Sequence, residues 1–132
     1  MEKPAGKGLT IAYNAVAIIF ALMMFFSAST KLTLNPGAVH VIHDVIGFPL
    51  DLFPLLAACE IAGGLGLLAG IFRPKLGVAA GVGLVLYFVC AIAAHVRVDD
   101  WAGLKAPVTP FFLSIAALVL RVVSERRTHP RV

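Results

Sequence analysis

The twenty-one residues from Leu9 to Ser29, LTIAYNAVAIIFALMMFFSAS, carry no charged side chain. An α-helix needs about 20 such residues to cross a hydrocarbon core about 30 Å thick. In that medium only helices and closed barrels pair every backbone polar group. Two more windows have the required length: residues 52–72, interrupted only by Glu60, and residues 76–96, apolar until His95. A fourth, 108–123, is shorter; Pro110 suits its first helical turn, and Arg121 near its end is expected to snorkel to the headgroups. None of the four alternates with period two, which argues against barrel strands. The pattern predicts an all-α fold, a membrane four-helix bundle, forming one domain over residues 1–132. Composition agrees: 60% of the chain is hydrophobic and 14% charged, with a mean hydropathy of +0.95, whereas soluble domains are about one quarter charged.

The first run also resembles a secretory signal, with Lys3 and Lys7 before it and SAS at its end. Its apolar core exceeds the usual 7–15 residues and three further spans follow, so a retained helix is expected. The net charge of +4 comes from short basic clusters between apolar runs, which is a topology signal and not a nucleic-acid surface. Eight Lys and Arg fall on one side of the membrane: Lys3, Lys7, Arg73, Lys75, Arg121, Arg126, Arg127 and Arg131. Three fall on the other: Lys31, Arg97 and Lys105. The positive-inside rule then puts both termini in the cytoplasm. Trp101, in the outer loop RVDDWAGLK, sits where an interfacial aromatic is expected. The basic tail after Val123 reads as a solvated end.

The first outer loop, between Lys31 and Pro54, is too long for a simple hairpin. Within it Ala38, Val41, Ile42, Val45 and Ile46 recur at helical spacing, with His40, His43 and Asp44 opposite. A short amphipathic interfacial helix over the bundle mouth is predicted. His40, His43 and Asp44 have spacing suited to a metal. Three donors on a wet face without a second ligand cluster make no closed site, so no metal is assigned. Cys59 and Cys90 lie in apolar runs without zinc or redox spacing and read as small buried packing residues, with a disulfide between neighbouring helices as the alternative. Ala62, Gly66 and Gly70, then Gly77 and Gly81, repeat at four-residue spacing, which lets helix backbones approach closely in lipid.

Four ionisable groups remain at the outer ends of the first three spans: Lys31, Glu60, His95 and Arg97. Lys31 continues the face of Ala17, Phe20, Met24 and Ser27. His95 continues the row of Gly81 and Phe88, and Glu60 shares a face with Gly63 and Gly64. Charged residues inside a membrane face the bundle and pair with one another. Two readings are open. In one, Lys31 or Arg97 neutralises Glu60 and the network fixes helix register. In the other, the four groups line an outward-facing pocket for a polar-headed lipid or an isoprenoid, with Glu60 and His95 able to exchange protons with it.

The segments FSASTKL, CEIAGGLGLLAGIFRP and AIAAHVRVDDW, in that order, resemble the DoxX-like family of small four-helix membrane proteins over roughly residues 11–121. The resemblance implies a polytopic bundle of the bacterial inner membrane and directs attention to Lys31, Glu60 and His95. It also implies an accessory role, since family members include membrane subunits of quinone-linked oxidoreductases. The arrangement is similar, more distantly, to the four-helix sterol isomerase superfamily, in which acidic and histidine side chains act within the bundle. No haem, iron–sulfur or nucleotide motif is present, so the chain is expected to carry no cofactor of its own beyond a quinone or lipid. Its expected partners are membrane lipid and further copies of itself or a larger membrane complex. Two functions follow as expectations: an accessory protein binding a lipid, isoprenoid or quinone-like molecule through Lys31, Glu60, His95 and Arg97, or an intramembrane acid–base enzyme using Glu60 and His95.

Overall fold

A computed structural model describes residues 4–128; Lys3 and Arg131 of the charge pattern lie outside the described residues. All regular structure among the described residues is helical. Helix α1 spans Pro4–Leu32. A short α2, Pro36–Ala38, runs on as a π-helical segment over Val39–Val45. Helix α3 spans Phe53–Ala69, α4 Pro74–Arg97 and α5 Lys105–Thr128, with single 3-10 turns at Leu50–Leu52 and Ala102–Leu104. Four stretches are long and apolar enough to cross a membrane: Gly6–Leu32, Leu50–Ala69, Pro74–Arg97 and Ala102–Arg127. The chain is an all-α, multi-pass membrane protein, as its apolar runs predict.

Local chemistry sets the helix ends. Helix α4 starts at Pro74, where a missing N–H costs nothing, and Arg73 before it is extended (φ −129°, ψ 98°), as a residue preceding proline must be. Helix α1 stops where Leu34 turns left-handed (φ 52°), and the Asn35 side chain then accepts from Gly37 N–H at 2.9 Å to start α2. At the far end of α4, Asp99 adopts φ 55° and the Asp100 N–H donates to the His95 carbonyl at 2.9 Å, the 6→1 bond of a Schellman ending.

Helices α1 and α4 each pack against both α3 and α5. Successive spans are therefore antiparallel neighbours, and the ring closes with α5 on α1. Tyr13, Phe20, Leu67 and Leu84 are buried at its centre, and the Phe20 and Phe88 rings meet with centroids 6.3 Å apart. The predicted faces are the buried ones: Ala17, Phe20, Met24 and Lys31 on α1, and Gly81, Phe88 and His95 on α4. Where α3 meets α4, a Cβ on Gly77 would stand 3.0 Å from the Gly70 Cα, so only glycines allow those backbones to touch. Leu22, Phe26, Leu65, Leu86 and Phe112 lie exposed on the outside, a surface suited to acyl chains.

Four expectations change. The fourth helix begins at Lys105 and runs to Thr128, so Pro110 lies inside it and leaves the Ala106 carbonyl without its i+4 donor. The stretch after Val123 is helical as far as the described residues extend, with Ser124 fully buried. Arg121 does not snorkel outward. It is buried, donates from Nη1 to the Gly70 carbonyl at 2.9 Å and from Nη2 to Ser124 Oγ at 2.8 Å, and stacks 4.6 Å from the Tyr13 ring centroid. The end of α3 presents a carbonyl with no intrahelical donor, and a guanidinium from the adjacent helix satisfies it while Tyr13 supplies a cation–π face. Finally, Cys59 and Cys90 are both free and exposed, not buried packing residues and not joined.

Candidate functional site

Glu60 lies near the middle of α3 and is 2% exposed. Its Oε1 accepts three hydrogen bonds: from Lys31 Nζ at 2.9 Å, Ser27 Oγ at 3.0 Å and Tyr87 Oη at 3.0 Å. Lys31, one residue from the end of α1, points inward along its own helix. Its ammonium also donates to Ser27 Oγ at 2.9 Å and reaches the Ser27 carbonyl at 3.5 Å. Both partners of this ion pair are buried, with side-chain exposures of 8% and 2%. Three helices, α1, α3 and α4, thus meet on one carboxylate oxygen. The other oxygen, Oε2, is buried and has no hydrogen-bond partner among the described residues.

His95 and Arg97 are not part of that cluster. His95 is buried, and its Nδ1 lies 2.8 Å from Asp100 Oδ2. A carboxylate only accepts, so Nδ1–H is the donor. Tyr87, which touches Glu60, is eight residues before His95 on α4, about 12 Å along the axis. Arg97 is exposed and donates to the Ile46 carbonyl at 2.8 Å, which ties the loop between α1 and α3 to α4. Of the four side chains grouped by depth, two meet and two serve the interhelical loops. Sequence reasoning missed Tyr87 as a ligand of Glu60. The available signal was a polar-tipped aromatic in the middle of an otherwise apolar span.

The predicted metal candidates also separate. His40 and Asp44 face outward, 3.7 Å apart, at 70% and 56% side-chain exposure. His43 instead turns to the Phe48 carbonyl, 2.8 Å from its Nδ1, because the π-helical winding places more residues in each turn than the α-spacing assumed. No three His, Cys, Asp or Glu among the described residues are grouped as metal ligands.

A cavity of about 1310 Å³ joins these pieces. At the end where α1 stops, Ala38, Val41, Ile42 and Ile46 of the first loop form the roof. Lys31, Ser27, Glu60 and Tyr87 supply its polar wall, and His95 borders it near the roof. Its lining on α4 extends from His95 to Leu76, nineteen residues or about 28 Å, close to the thickness of a hydrocarbon core. Several lining residues between α3 and α4, including Cys59, Ala62, Gly83, Leu86 and Cys90, are exposed, so the cavity opens sideways towards the membrane. The space is elongated, apolar along most of its length, and polar at Glu60.

Against that geometry, a family model described as the DoxX-like family matches residues 15–119 of the chain. No curated protein and no solved structure matches it.

Proposed function

The chain belongs to the DoxX-like family, and from that premise we propose that it binds a lipid, isoprenoid or quinone-like molecule in the outward-facing polar pocket of its bundle. The supporting observation is the elongated lateral cavity with the buried Lys31–Glu60 pair in its wall. A molecule with one polar end and a long apolar chain matches both features: the chain takes the α3–α4 groove and the head meets Glu60. Binding pockets of this kind are mostly apolar with a few convergent polar groups.

We further propose an accessory role beside an oxidoreductase, in a larger membrane complex or a homo-oligomer, with the redox centre on the partner. The resemblance to family members that accompany quinone-linked enzymes supports this role. The setting is the bacterial inner membrane with both termini in the cytoplasm. In support, Lys7, Arg73, Lys75, Arg126 and Arg127 lie at one end of the bundle, against Lys31, Arg97 and Lys105 at the other, among the described residues. The alternative, acid–base catalysis by Glu60 and His95 on one reacting centre, is less well supported, since Glu60 is engaged with Tyr87 and His95 with Asp100 well apart along α4.

The test is native mass spectrometry of the protein extracted in mild detergent. Wild type is expected to retain an amphiphile of defined mass. Gly83→Trp is expected to lose it: Gly83 lines the groove, and a Cβ there meets nothing within 4 Å, so the indole enters the cavity without straining the helix. Wild type that carries neither an amphiphile nor a partner protein contradicts the proposal.

A further inference from the structure

The protons at Glu60 are already assigned. Ser27 Oγ and Tyr87 Oη each have one hydrogen, and both are given to Oε1. Lys31 has three, directed to Oε1, Ser27 Oγ and the Ser27 carbonyl. The capacity left over is all of one kind. Oε2 of a carboxylate paired with an ammonium is an acceptor, and it is buried without a partner. Tyr87 Oη, on the cavity wall, keeps lone pairs. A buried acceptor left unsatisfied costs the full desolvation of that group, and one whose residue lines a cavity is satisfied most directly by what the cavity holds. A carbonyl or ether oxygen brought there would find acceptors and no free donor.

We propose that the occupant of the cavity is a hydrogen-bond donor at its polar end: an apolar chain carrying a hydroxyl, as in an isoprenoid alcohol or a hydroquinone, and not its ether or its quinone. This deepens, and rests on, the amphiphile-binding function proposed above. Oε2 has almost no accessible surface, so contact with the occupant requires the carboxylate to turn about its terminal torsion, which is broad for Glu, and one narrow O–H demands a smaller turn than a bulky headgroup. An anionic phosphate head is disfavoured by the same carboxylate.

Two matched probe pairs test this on the purified full-length chain: geranylgeraniol against its methyl ether, and a short-tailed prenyl hydroquinone, kept reduced anaerobically, against its quinone. Apparent affinity is read from thermal stabilisation as a function of probe concentration. The hydroxyl member is expected to bind about ten-fold tighter or better, the scale of a hydrogen bond to a charged group. A preference confined to one pair upholds the inference and identifies which source of hydroxyl the site takes. In Glu60→Gln the amide oxygen takes the three protons and its NH2 replaces Oε2, so the preference is expected to reverse. If that variant does not fold, the wild-type comparison decides alone. Equal or tighter binding of the ether and the quinone in wild type overturns the donor inference and leaves amphiphile binding standing. A folded Glu60→Gln that keeps the hydroxyl preference overturns the assignment to Glu60. Binding of no probe at all overturns the proposed function, and the inference with it.

Discussion

A carboxylate that is 2% exposed within a membrane helix persists only if its charge is met, and Lys31 meets it at 2.9 Å. Removing one partner of a buried pair leaves the other uncompensated, at a cost of about 3–5 kcal/mol, whereas replacing both with neutral groups of similar size is often nearly neutral. Lys31→Met is therefore expected to lower the thermal midpoint in detergent sharply, and Lys31→Met combined with Glu60→Gln to recover most of the loss. A double variant no more stable than the single one would show that the pair is not coupled. Tyr87→Phe deletes one of three donors to Oε1 and is expected to cost about 1 kcal/mol with the bundle intact. At this scale the sequence revealed that Glu60 needed a cation and that Lys31 lay on the right face. It left open which cation answers, because depth along a helix says nothing about azimuth or about where the adjoining loop turns. Arg97 and His95 have the right depth but are held by the Ile46 carbonyl and by Asp100.

Elements show where pattern reasoning holds and where it stops. The four apolar runs are legible because lipid demands length and uniform apolarity. The π-helical winding of Val39–Val45 is not, since its side chains satisfy an α-repeat equally well. That segment roofs the cavity and is fastened by one exposed bond from Arg97. Arg97→Ala is expected to leave the thermal midpoint unchanged while hydrogen exchange across residues 36–48 rises, checked by exchange mass spectrometry; unchanged exchange would mean that Arg97 is no latch. Arg121 was misread because a basic residue near a span end usually snorkels, and only the fold places the Gly70 carbonyl beside it. Arg121→Met leaves that carbonyl unpaired and removes the contact with Tyr13. The expected loss is about 1–3 kcal/mol, measured as a fall in thermal midpoint, with a stability equal to wild type as the contrary result.

For the whole molecule, the antiparallel ring α1–α3–α4–α5 has a long seam between α3 and α4, through which the cavity faces the bilayer. The glycine contact between Gly70 and Gly77 closes that seam at one end, and the loop between α1 and α3 covers the other. Small residues at four-residue spacing signalled close packing in the sequence. They did not signal that the same two helices part around a space of about 1310 Å³, because a void belongs to the relative tilt of two rods and to no residue on either. Cys59 and Cys90 both border the opening and are exposed.

The most direct measurement is an experimental density map of the protein in nanodiscs of its native lipids. The expected result is an elongated density in the α3–α4 seam, its polar end within hydrogen-bond reach of Glu60 and its tail running towards Leu76, with Lys31 Nζ still against the carboxylate. A seam filled by the protein's own side chains, or a Glu60 carboxylate turned out to the acyl chains away from Lys31, would contradict the account.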